Sequence, residues 1–340
     1  MTDLLAAASE VDAVEQLHDL GCTDGLPVIV PTQDRVDRMV LATGLDAGMV
    51  LGEMGPLLGV CTVEKLAAAA VMAGCLSDFM PIVLAAAQAV MEPEFDLTEM
   101  QGTTFGTTPL IIVNGPGRSA CGIASGFGAL GPGHRANASI GRALRLAMTN
   151  IGGARPGVSD MTLLGHGAKF TQCLGEDEEN SPFESLAVSR GFGAEQTVVT
   201  VLGTEAPHSV MHLADGDDPD SPIRLLNGLA DMLAAVGTNN ANLGGGQAAI
   251  VITPDQISEL ARAGYTRRTV AEHIVERAGK GRFGAPVFHS PDDLLIVAAG
   301  GSGLYSFVFP TWCAGAHHNR SVSKAVELDQ SCELPWATAS

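Results

Sequence analysis

Lys169, Cys173, Glu176 and Glu178 share one short segment with His166 just ahead of them, in Gly165-His166-Gly167-Ala168-Lys169 and the acidic run that follows. Such residues can supply a general base, a nucleophile or metal ligands. A thiol at Cys173 close to Lys169 or His166 would ionise more readily and react faster. The plainer alternative is a solvated acidic loop around an inert cysteine.

A second group is cationic. Asn114-Gly115-Pro116-Gly117-Arg118 leaves the end of an apolar stretch, and Gly131-Pro132-Gly133-His134-Arg135-Ala136-Asn137 leads into a helical pattern. Ligands of open α/β sheets sit at strand carboxyl ends, and helix N-termini offer free N–H groups to anions. Asn114, Arg118, His134, Arg135 and Asn137 are therefore candidates for holding a substrate carboxylate or phosphate. The spacing is neither GxGxxG nor a P-loop, so no nucleotide is implied. Cys22 and Asp24 lie in a tight Gly-bounded turn that can line a pocket or serve as a turn alone. Ser302, in the glycine cluster 300–303, and Arg320, in His317-His318-Asn319-Arg320, complete the substrate-binding candidates. His208 and His212 are four apart, but the glutamate of a zinc-peptidase motif is missing, so no metal ligand is assigned and no cofactor is indicated.

These residues need elements to position them. Apolar spacing predicts helices over 1–20, 62–75, 79–91, 134–150, 223–236, 255–263 and 269–278. In the helix over 134–150, Ile140, Leu144 and Ala147 form one stripe, while Arg142 and Arg145 lie off it. Strands are expected at 26–30, 49–54, 108–114, 160–164, 197–202, 248–253 and 294–299. The unbroken Thr108–Asn114 run suits a sheet covered on both faces. Strands alternating with helices argue for an α/β fold, with mixed or mostly parallel sheets flanked by helices. Two packed α/β halves are expected, 1–195 carrying the Gly-rich anion-binding loop and 196–340 following it.

Composition limits what the chain can bind. The net charge is −19, with 19 basic residues against 38 acidic ones, which disfavours nucleic acid and anionic membranes. A basic leader is missing from the N-terminal residues, and the apolar stretches are too short to span a bilayer. Seven widely spaced cysteines without a CxxC argue for reduced thiols and a cytoplasmic location. An enzyme of this size is expected to form a homo-oligomer.

The segments Asp24-Gly25-Leu26-Pro27-Val28, Val113-Asn114-Gly115-Pro116, the run from His134 to Arg145, Lys169-Phe170-Thr171-Gln172-Cys173 and Glu178-Glu179-Asn180-Ser181-Pro182 resemble a group of uncharacterised bacterial proteins associated with UGSC-type (seleno)proteins. The likeness covers roughly residues 24 to 190. The chain has no Cys-Gly-Ser-Cys, so the resemblance implies a companion of such redox proteins. The group carries no established reaction; the resemblance draws attention to Lys169, Cys173 and Glu178 without giving them a role.

The reading that joins these observations is an enzyme, a hydrolase or lyase, for a small anionic or amide-like metabolite. Arg118, His134 and Arg135 would anchor the anion. Lys169, with Cys173, Glu176 or Glu178, would carry out proton transfer or covalent catalysis. It requires the loops at 115–135 and 165–180 to meet over one rim of the sheet. The alternatives are a non-catalytic subunit of a thiol or selenol redox complex, with a redox-protein partner, and a metal-dependent lyase.

Overall fold

The computed structural model describes residues 5–326. The helices are α1 (Glu10–Asp19), α2 (Gln33–Leu41), α3 (Val63–Ala73), α4 (Met80–Met91), α5 (Leu97–Gly102), α6 (Pro116–Ala120), α7 (Arg135–Asn150), α8 (Leu186–Ser189), α9 (Ser221–Leu233), α10 (Asn239–Leu243), α11 (Pro254–Arg262) and α12 (Arg267–Ala278). The strands are β1 (Val50–Met54), β2 (Gly59–Thr62), β3 (Thr108–Asn114), β4 (Cys173–Gly175), β5 (Val198–Thr204), β6 (His208–Met211), β7 (Ala248–Ile252), β8 (Leu294–Ala298), β9 (Tyr305–Phe309) and β10 (Val322–Ala325).

Local chemistry explains the main helices. The Thr62 hydroxyl accepts from Lys65 N, capping α3, and Gly74 closes that helix in the left-handed conformation. Helix α4 (MPIVLAAAQAVM) is apolar on nearly every face and is buried accordingly. The stripe of α7 through Ile140, Leu144 and Ala147 is buried, and Arg142 and Arg145 sit half-buried on its flank.

Two four-stranded sheets form the centre. Their orders are β10-β5-β3-β4 and β6-β9-β7-β8. Each has one parallel pair, β3 with β4 and β7 with β8, and is otherwise antiparallel. Alternation along β3 sets the layering. Ile111 and Val113 join the core beneath α3, α4 and α7, while Leu110 and Ile112 pack on Ala249, Val251, Leu295 and Val297 of the second sheet. The outer face of that second sheet is covered by α9 and α12. The order of layers is helix, sheet, sheet, helix.

The sheets do not follow a division at 195/196. Strand β5 pairs with β3 in the first sheet, and β10 returns from the far end of the chain to pair with β5. Strand β6, which follows β5 directly, crosses to the second sheet and pairs with β9. Residues 196–340 thus supply both β5 and β10 to the first sheet; with the boundary set after β6 instead, each part lends one edge strand to the other.

Several elements differ from expectation. Residues 26–30 and 160–164 are not strands, and β4, β6, β9 and β10 are strands that periodicity did not show. The first helix begins at Glu10, with Ser9 accepting from Asp12 N. The expectation for residues 1–4 lies outside the described residues. Among the described residues no helix is long and apolar enough to cross a membrane.

Candidate functional site

The off-stripe arginines of α7 do two different jobs. Arg142 grips Asp24 in a two-pronged ion pair, Nε to Oδ2 at 2.7 Å and Nη2 to Oδ1 at 2.8 Å, and also donates to the Pro27 carbonyl at 2.9 Å. Asn150, at the end of the same helix, donates to the Cys22 carbonyl at 2.8 Å, and Arg155 to the Gly21 carbonyl at 2.5 Å. The turn 21–25 is thereby held against the C-terminal half of α7.

Arg145, one turn on from Arg142, points to a different carboxylate. Its Nη2 lies 2.9 Å from Asp160, which also accepts from Lys169 Nζ at 3.0 Å and Thr162 N at 3.3 Å. Lys169 also donates to Thr162 Oγ1 at 2.7 Å and lies 3.5 Å from the Thr107 carbonyl. Burial disfavours the Lys169 ammonium and Arg145 repels it; together they outweigh Asp160 and hold the amine below its ordinary value. Burial pushes the Asp160 carboxyl up, but Lys169 and Arg145 pull it down further, so it stays ionised below the usual carboxylate range. Asp24 is lowered in the same way, its burial outweighed by Arg142.

These groups face one cavity of about 460 Å³, whose walls include Asp24, Arg145, Thr149, Arg155, Asp160 and Lys169. No family model, curated protein or solved structure matches the chain. The site therefore rests on its own chemistry. Three cations and two carboxylates surround a space large enough for a small metabolite, and both carboxylates already have cationic partners. Three titratable groups with displaced ionisation in one hollow are what a proton-transfer site requires.

Of the sequence candidates, Lys169 and Asp24 line this cavity, and Cys22 and His166 sit in its bordering segments. His166 lies with Nε2 2.5 Å from the Gly106 carbonyl, while its buried Nδ1 has no partner. Cys22 contacts the Leu20 carbonyl at 4.0 Å.

The anion-anchoring group lies elsewhere. Lys169 reaches the residue before β3, and Arg118 lies beyond its other end, so the seven residues of β3 separate them by about 20 Å. The loops themselves do approach each other, since residues 129–132 and 167–173 line a separate hollow of about 460 Å³, but Arg118 and Lys169 do not open onto one site. What meets the segment 114–118 is the acidic run. Asn114 Nδ2 donates to Glu176 at 2.6 Å and Glu178 at 2.8 Å, Gly115 N donates to Glu178, and Arg118 pairs with Glu179 at 2.5 Å. Glu176 is fully buried and also takes Leu186 N and Arg267 Nη2. Fully buried and held by three donors, it ties the first sheet to α12 and is closed off from a substrate.

The remaining candidates are also committed to the fold. Arg135 donates twice to the Gly74 carbonyl, closing the end of α3, and His134 Nε2 lies 3.0 Å from the Phe127 carbonyl. Asn137 is buried, donates to the carbonyls of Ala124, Ala129 and Cys173, and accepts from Ala124 N. Ser302 lies 3.4 Å from Asp255, and Arg320 pairs with Asp293 at 2.5 Å.

Cys173 is buried in the core beneath α7, where burial first and the nearby thiols next push its ionisation up. A thiol so placed is a poor nucleophile. Burial likewise raises Cys61 to about 11, Cys75 to about 12, and Cys121 and Cys313 to about 11. His208 pairs with Glu205 on exposed β6, whereas His212 is buried against Glu259 and Ser221, so the two do not form a pair. Among the described residues no group of three or more His, Cys, Asp or Glu is arranged to hold a metal ion.

Sequence reasoning missed Arg145, Arg155 and Asp160 as site residues. Arg145 carried a signal, since a charged side chain off the apolar stripe of a largely buried helix must find a polar hollow or solvent.

Proposed function

We propose that the cavity between α7 and the turn at 21–25 is the active site of a lyase-type enzyme for small carboxylate metabolites. Arg145 and Arg155 hold the substrate carboxylate, and Lys169 moves the proton. The observation that supports this most is Lys169 itself, a half-buried amine held below its ordinary ionisation in the wall of a polar cavity. Neutral Lys169 takes a proton from the carbon beside the carboxylate. The C–H electron pair becomes the new double bond, the leaving group departs with its own pair, and the proton stays on Nζ. Asp160 then stabilises the ammonium it faces. A base facing the cavity beside two arginines suits removal of a proton next to a bound carboxylate, the first step of an elimination. A cytoplasmic location fits the free cysteines.

The test is deuterium incorporation and product formation from a panel of hydroxy- and aminocarboxylates in D2O, followed by NMR. Lys169→Met should lower the rate by at least about 100-fold, the usual contribution of a positioned base. Because the neutral amine is the active form, kcat/KM should rise with pH and level off below the ordinary lysine value of 10.5. Unchanged turnover in Lys169→Met, or no exchange with any carboxylate, refutes the assignment.

A further inference from the structure

A second hollow, of about 640 Å³, opens between α8, the start of α12 and the start of β8. It shares no lining residue with the Lys169 cavity. Arg190, Arg267 and Arg268 line it, against Glu184 and Asp292. This gathers three guanidinium groups in a chain with 19 basic residues in all.

Their pairing is uneven. Arg268 is satisfied by Glu272 and Asp292. Arg267 reaches Glu176 and the Glu184 carbonyl, but its buried Nη1 has no partner. Arg190 is the anomaly. Among the described residues the only partner of its guanidinium is the neutral Ser321 carbonyl at 3.3 Å, and no carboxylate lies within ion-pair distance. A guanidinium that is taken partly out of water without a counter-charge destabilises a fold unless something supplies that charge. Burial pulls Arg190 below its usual range, in keeping with that deficit.

We propose that this hollow is a binding site for the phosphate group of a small phosphorylated molecule, with Arg190 as its principal ligand. The planar guanidinium fork matches the oxygens of a phosphate, and the volume beyond it accommodates the rest of the molecule. The proposal is independent of the Lys169 reading, since it uses no residue of that cavity.

Inorganic phosphate is the probe. Thermal unfolding of the full chain is followed in chloride buffer at fixed ionic strength, with phosphate or acetate replacing chloride. The Tm of the wild type should rise with phosphate and not with acetate. Arg190→Met should abolish the rise, and without phosphate it should melt no lower than the wild type, because it removes an unbalanced charge. Arg190→Lys should keep part of the phosphate response. The inference is overturned if phosphate does no more than acetate, if Arg190→Met responds as the wild type does, or if that variant melts lower by the same amount with and without phosphate, the mark of a purely structural arginine.

Discussion

Asp24 and Arg142 show how one ion pair can serve both position and stability. Both side chains are largely withdrawn from solvent, at 4% and 16% exposure, so the pair is not an ordinary surface bridge. Its loss would free the turn that forms one wall of the cavity. Asp24→Asn should destabilise the chain by about 2–3 kcal/mol, measured by urea unfolding at neutral pH. The folded-state ionisation of Asp24 lies below its unfolded value. Its stabilisation is therefore present above the unfolded carboxylate range and disappears as pH falls through the lower, folded value. The gap between the wild type and Asp24→Asn should accordingly close in acid. The thiols give a second expectation at this scale. With Cys22 and Cys332 replaced by serine, the native chain should not react with a thiol reagent at neutral pH, and all five remaining cysteines should react once denaturant is added. Rapid native labelling would contradict the raised thiols of the core.

Among the elements, Asn137 has the widest reach. Its amide joins the start of α7 to both ends of the 124–129 loop and to the first residue of β4. Asn137→Ala would leave several buried backbone groups without partners, so a loss of about 3 kcal/mol is expected. Amide exchange should accelerate first in residues 122–131; uniform acceleration across the chain would argue against this local role. Helices were the legible part of the sequence. Caps such as Thr62 and the stripe of α7 are encoded over a few neighbouring residues. Strands β4, β6 and β10 were not legible, because each is at most four residues long and owes its existence to a partner distant in sequence. The same reason explains the site. Lys169 and Asp24 stood out by residue type, but their meeting depends on α7 crossing between them. Proximity in sequence misled in the other direction, setting Lys169 beside Glu176 and Glu178 when β4 carries them to the far end of β3.

At the scale of the molecule, the exchange of β6 and β10 makes each sheet incomplete without the other half. Cutting the exposed stretch after Gly216 gives a first fragment with β6 but no β9 to pair it, and with β5 left as an open edge. The second fragment carries β10 without β5, and β9 without β6. Each piece would also expose the apolar faces that now pack between the sheets, including Leu110, Ile112, Val251 and Val297. Unpaired edges and uncovered apolar faces favour association over independent folding. Fragments 1–216 and 217–340 should therefore be unfolded or aggregated when made separately, and should form a stable one-to-one complex with native-like circular dichroism when co-expressed. Two independent domains would behave in the opposite way. A folded, monomeric first fragment with cooperative thermal unfolding would mean that the lent strands are ornaments on halves that are each sufficient alone.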